Sequence, residues 1–176
     1  MKKPRKREGD LQAMILNVLR RLSFVRVDRY QSGMLPNPEG QMVSFGSTGA
    51  ADIIVCVAPL GRLLGLECKA PGKKQTPAQI VWAQDIVSKG GFAYRVDDLD
   101  VACGHVLDVY GKNLRLHLAA GLLTEAEVLK QTKAAENAMN EAKRDAAEVQ
   151  AKKEKRRSHM PMRRALPPGT NNAAGI

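Results

Sequence analysis

Apolar residues at Leu11, Met14, Ile15, Val18, Leu19 and Leu22 recur at i, i+3, i+4 and i+7 spacing, which predicts a helix with one buried face. Asp10 is its expected N-cap, and Glu8, in or just before the first turn, suits the positive end of the helix dipole. The period then shortens. Phe24–Tyr30 reads as a strand, the stretch SGMLPNPEG as a turn-rich connection, and Gln41–Phe45 as a short second strand. Ala51–Val57 and Leu63–Ala70 are two further strands, the second stopped by Pro71-Gly72. Thr76-Pro77-Ala78-Gln79 combines an N-cap threonine, proline at the first helical position and glutamine at the third, a capping box that starts a helix. Ile80, Ala83, Ile86 and Val87 are its expected buried stripe, with Trp82 in the core or at its edge. Gly90-Gly91 ends it, Phe92–Val96 is a strand, and Asp98 caps a helix with Val101, Ala102, His105, Val106 and Val109 on one face.

The pattern changes after about residue 110. Thr124–Glu127 is another capping box, opening an Ala/Glu/Lys-rich helix to about Arg157. Val128, Ala135, Ala142 and Val149 recur every seven residues, but the seam is small and interrupted, so a weak coiled coil, a helix laid on a partner and a solvated helix all suit it. The expected organisation is a basic arm at 1–7, an α/β domain at 8–110, a helical extension at 111–157 and a disordered basic tail at 158–176.

Charge adds a partner. The 176 residues carry 28 Lys+Arg against 18 Asp+Glu, a formal net charge of +10. A polyanion suits that balance, nucleic acid before an anionic membrane. Thirteen of the cations and only seven of the carboxylates lie beyond residue 110, so the C-terminal part adds attraction beyond what its core requires. Candidate nucleic-acid contacts are Lys2, Lys3, Arg5, Lys6 and Arg7 in the arm, Arg29 in the first strand, and Lys73 and Lys74 after the fourth; solvated lysines are the plain alternative. Three scattered cysteines, Cys56, Cys68 and Cys103, make no disulfide framework and fit a reducing compartment, which places the chain in the cytoplasm, the host's if it is phage-encoded. No apolar run is long enough to span a membrane.

Three charges stand where an apolar strand should carry none. Glu67 and Lys69 share one face of the fourth strand, and Asp52 comes level with them if the two runs pair around Pro59–Gly61. Burying such a set is costly unless something compensates it. A divalent cation would, with Asp52 and Glu67 as ligands, the Cys68 carbonyl as another, and Lys69 beside them. The Gly46–Gly49 loop lacks phosphate-loop spacing and reads as a turn that brings backbone close to the site. His105, on an apolar face, reads as a core histidine.

These pieces together resemble the VRR-NUC branch of the PD-(D/E)XK nucleases. The resemblance runs from Glu8 to about Asp100 and is carried by EGDLQ (Glu8–Gln12), VSFGSTGAADII (Val43–Ile54), GRLLGLECK (Gly61–Lys69), TPAQ (Thr76–Gln79) and GGFAYRVDD (Gly90–Asp98). It implies a restriction-endonuclease-like core of order αβββαβ, with a mixed sheet flanked by helices and here a C-terminal helical extension. It also implies cleavage of DNA, often branched or flapped, with Mg²⁺ or Mn²⁺, by a homodimer, in recombination or repair. Carried over by position, Asp52 and Glu67 ligate metal, Lys69 assists the nucleophile or steadies the phosphate, Glu8 is the family's additional acidic residue and a further ligand, and Gln79 is its helix glutamine. A non-catalytic nucleic-acid-binding protein on the same fold is the alternative; its weakness is that two carboxylates repel the phosphate it would bind.

Overall fold

The computed structural model of the chain describes residues 8–158, with side chains to residue 155. The expected arm and tail, with Lys2, Lys3, Arg5, Lys6 and Arg7, lie outside the described residues. Ten elements follow in order: α1 (Glu8–Leu19), β1 (Val25–Arg29), β2 (Gly33–Pro36), β3 (Met42–Phe45), β4 (Ile53–Val57), β5 (Arg62–Cys68), α2 (Pro77–Ser88), β6 (Phe92–Val96), α3 (Leu99–Ala119) and α4 (Glu125–Ser158).

β1, β4, β5 and β6 form one sheet in the order β1-β4-β5-β6. β1, β4 and β5 are antiparallel neighbours, and β6 joins β5 in parallel, so the fold is α/β with a mixed sheet. Without the separate β2–β3 hairpin, its elements run αβββαβ up to β6. Leu64 and Leu66 on β5 and Ile53, Val55 and Val57 on β4 are fully buried. Strand alternation points these residues to one face, where α1 and α3 pack. Ile15, Val18 and Leu19 from α1 and Val106, Val109 and Leu114 from α3 complete that core.

α4 joins the same core. Ala135, Met139, Ala142 and Ala146 are buried in it, while Val128 and Val149 are half-buried, and the helix packs on α1 and α3. It runs antiparallel to α3, with Gln131 beside Tyr110 and Lys143 on Asp100. Alanines at the seam let the backbones approach closely, and the covering partner is the chain's own domain rather than solvent. Residue 110, the expected boundary, falls inside α3, which continues to Ala119 and buries Asn113 and Leu114.

Other expectations change as well. Gly33–Pro36, read as turn, is a strand paired with β3; its proline sits at the end of a two-stranded ladder, where a missing donor is tolerated. Helix α1 begins at Glu8, so Asp10 lies in the first turn instead of capping it. On α2, Ile80, Val81 and Val87 are exposed, Ala83 and Ile86 are half-buried, and no residue is buried. A periodic apolar stripe shows which side of a helix prefers cover, not how much its neighbours supply. Trp82, expected in the core or at its edge, is half-buried on the opposite face of the sheet, where a Cβ on Gly65 would come within 2.6 Å of its ring, and it is not among the residues packed on the core. Cys68 and Cys103 are buried, but Cys56 is exposed. His105 is half-buried and stacks on Tyr94 with centroids 3.8 Å apart.

Candidate functional site

Ile53 pairs with Leu66, which brings Asp52 level with Glu67 across the β4–β5 ladder. Alternation puts both on the sheet face opposite the aliphatic core, toward α2. The strand ends are then tied by side chains. Asp52 Oδ2 accepts from the Cys68 N–H at 2.8 Å, and Glu8 Oε1 accepts from the Ala70 N–H at 3.0 Å. Glu8 thus reaches 62 positions along the chain to the exit of β5, a role beyond favouring its own helix dipole.

Glu67 is the centre of the cluster, with its side chain 3% exposed. Lys69 Nζ lies 2.6 Å from Glu67 Oε1, and Gln79 Nε2 donates to the same oxygen at 2.6 Å. Gln79 also caps its helix: its Oε1 accepts from the Thr76 N–H at 2.8 Å, and the Thr76 hydroxyl accepts from the Gln79 N–H. One amide has an acceptor end and a donor end, so capping box and site contact coexist. Glu67 Oε2 is buried without a hydrogen-bond partner.

Burial raises the carboxyl pKa of Asp52, with Glu8 adding to the shift, while the Cys68 amide and Lys69 oppose it. Burial likewise raises Glu67 against the hydrogen bond from Lys69, and the charge of Asp52 adds to the rise. For Lys69, burial works to lower the pKa, but the Glu67 hydrogen bond and the surrounding carboxylates outweigh it and the ammonium is held above its ordinary value. The Cys68 thiol is pushed up to about 12 by burial and by the neighbouring carboxylates, so it is no thiolate ligand or nucleophile.

The cluster is short of cations. Asp52 and Glu67 repel each other, and a buried acceptor left without a donor is costly. Among the described residues no group of three or more His, Cys, Asp or Glu forms a ready metal cage. An ion that retains several waters and takes only one or two carboxylates, as Mg²⁺ does, requires no such cage. Asp52 and the free oxygen of Glu67 fit that requirement, with the Cys68 carbonyl on the same strand as a further oxygen; Glu8 is engaged with Ala70 N–H through one oxygen.

Two cation-bearing features border the cluster. Lys73 and Lys74 are exposed and, with Arg95, line an open hollow of about 440 Å³. Arg95 Nε donates to the Lys73 carbonyl at 2.8 Å and one of its terminal nitrogens meets Asp97, so the lysine loop is anchored to β6. Arg29 is exposed on the other side, near enough to Asp52 to favour its charged form. The Gly46–Gly49 turn brings backbone against α2: Gly49 has φ of 79°, and a Cβ there would collide with the Ala78 carbonyl. Gln12 is the residue whose place the sequence did not reveal. It is buried and lines a cavity with Asp52 and Gln79, although glutamine at that position looks like ordinary helix surface.

No family model matches the chain, and no curated protein matches it.

Proposed function

We propose that the chain is a divalent-metal-dependent DNA endonuclease of the VRR-NUC kind on a restriction-endonuclease-like core. The observation that carries this reading is the buried, unpartnered Oε2 of Glu67 level with Asp52, with the Lys69 ammonium held beside the pair. Branched DNA as substrate and a homodimer as the active form belong to the same proposal and rest on the motif resemblance.

A divalent cation between Asp52 and Glu67 would supply the charge that polarises a phosphodiester and acidifies a water. The protein's own contribution is positional. Asp52 is fixed by the Cys68 N–H, and Glu67 is fixed by Gln79, whose amide cannot turn over without losing its cap on Thr76. Lys69, bonded to Glu67 Oε1, has further N–H groups for a phosphoryl oxygen on which negative charge grows during in-line attack by water and departure of the 3′ oxygen. Lys73 and Lys74 steer and hold flanking phosphates, a contact that positions the strand without reading sequence.

The test is a panel of end-labelled four-way junction, flap, splayed and duplex DNA, incubated with Mg²⁺, with Mn²⁺ and with EDTA. Cleavage of branched substrates in either metal, none in EDTA, and a loss on the order of 10²–10⁴-fold in Lys69→Ala is the expected outcome. A wild-type protein that binds DNA but cuts nothing in either metal would leave the non-catalytic alternative standing.

A further inference from the structure

Three polar side chains are buried among the described residues, and two have evident work. Asn113 donates to the Val57 and Ala58 carbonyls, and Glu67 binds Lys69 and Gln79. The third, Gln12, is 9% exposed, and its amide bonds to no described residue. It faces a cavity of about 310 Å³ that it lines together with Arg29, Tyr30, Phe45, Asp52 and Gln79. Among the described residues the buried side-chain atoms without a partner are Glu67 Oε2 and Asn113 Oδ1. The Gln12 amide is not one of them, so it stays accessible from the cavity that Gln12 lines and is free to meet what the cavity receives.

The lining specifies the chemistry. The Tyr30 hydroxyl accepts from the Ser47 N–H at 2.8 Å, which fixes the phenol and leaves its proton to donate. Gln12 offers a donor and an acceptor side by side, the pattern that meets the edge of a nucleobase. Phe45 also lines the cavity and is 41% exposed, and a Cβ added to Gly33 would come within 3.1 Å of its ring. An aromatic face there can stack a base whatever its identity. Arg29, exposed and part of the lining, supplies a cation for the attached phosphate. Asp52 lines the same cavity, so an occupant lies next to the candidate reacting centre. The volume is at the lower end of small-ligand pockets and suits one nucleotide.

We infer that this cavity receives a single unpaired nucleotide of a DNA strand, with its base against Phe45 and its edge on Gln12 and Tyr30. This rests on the endonuclease reading for its placement of the scissile phosphate, and it deepens that reading. A paired base in a duplex cannot enter, whereas flaps, gaps and junctions supply bases that are already unstacked. Selectivity for branched DNA would then reside in a pocket of one subunit.

The experiment places 2-aminopurine at the unpaired position of gapped DNA and follows its fluorescence and the anisotropy of binding in EDTA, where no cleavage is required. Wild type is expected to quench the probe and to prefer gapped over fully paired DNA. Gln12→Leu should abolish the quench and reduce the preference roughly tenfold, the scale of one good paired contact to a base edge. Phe45→Ala, on the exposed hairpin, should reduce the quench and provides the same test should Gln12→Leu not fold. Unchanged quench and preference in the folded variants overturn the pocket while leaving the endonuclease intact. A wild type that quenches the probe but never cuts in Mg²⁺ or Mn²⁺ keeps the pocket and overturns the endonuclease. A wild type that binds gapped and paired DNA equally, or neither, overturns the pocket outright.

Discussion

The two faces of the β1-β4-β5-β6 sheet have been built to different ends. On one, α1 and α3, themselves backed by α4, cover Ile53, Val55, Val57, Leu64 and Leu66 so fully that each is 0% exposed. On the other, α2 is the one described helix that approaches, mostly over β6, and it buries none of its residues. Cys56 and the β1 residues Arg26 and Asp28 lie open on that side. Glu67, Asp52 and Lys69 belong to this second face. A core supplied by three helices on one side leaves the other free to hold charges that a two-sided core would expel, and the same strands serve both.

The largest stability effect should separate the faces directly. Leu114→Ala, in the closed core, is expected to cost about 2–5 kcal/mol through reduced hydrophobic transfer and a residual cavity. Val81→Ser on α2 should stay within about 0.5 kcal/mol, as surface changes do. Urea unfolding of both variants checks this; comparable losses would mean that α2 is covered in solution by something else.

The next effect concerns the stability cost of the charged cluster. Burial raises the carboxyl pKa of Asp52 in the folded protein, so the folded state retains this proton at a pH where the unfolded chain has released it. With more protons bound in the folded state, its contribution to stability falls as pH climbs from the ordinary carboxylate range through the raised value. Asn keeps an oxygen for the Cys68 N–H but carries no charge. Asp52→Asn should therefore be more stable than wild type in EDTA at neutral pH, with a gain that shrinks as pH is lowered. A gain independent of pH, or a destabilised variant at neutral pH, contradicts the assignment. Mg²⁺ should narrow the difference by binding only the folded wild type.

The smallest effect tests the C-terminal cations. Deleting residues 159–176 removes Arg163 and Arg164 without touching α4. Each phosphate that is no longer neutralised should lower the slope of log K against log salt by about 0.9. An unchanged slope would mean that these arginines do not reach the phosphates, and that attraction resides with the lysines beside the site and on α4.

Much of the site was legible because its residues are anomalies. A carboxylate and an ammonium inside an apolar strand cannot be explained by burial, and alternation alone assigns Glu67 and Lys69 to one side. Gln79 was visible through its capping box. Gln12 was not, since a glutamine beside an apolar stripe signals nothing until the surface over it is known to be a cavity wall. Glu8 was visible as an acid at a helix start, but its bond to Ala70 depends on where α1 lies across the sheet. Gly33–Pro36 was hidden because glycine and proline advertise turns, while pairing with Met42–Phe45 is a property of two segments together.

Short-range patterns along the chain are enough to set the period of most elements, the start of α2, the Asp52–Glu67 register once the hairpin turn is placed, and the excess of positive charge. All depend on neighbours a few residues apart or on composition. Packing was needed to establish which face of the sheet is closed, that α4 belongs to the core, that both Lys69 and Gln79 fall on one oxygen of Glu67 and leave the other unmet, and that Gln12 opens into a cavity. Those outcomes depend on how separate elements meet, and exposure, cavities and unsatisfied atoms exist only after folding has removed water from some groups and left it at others.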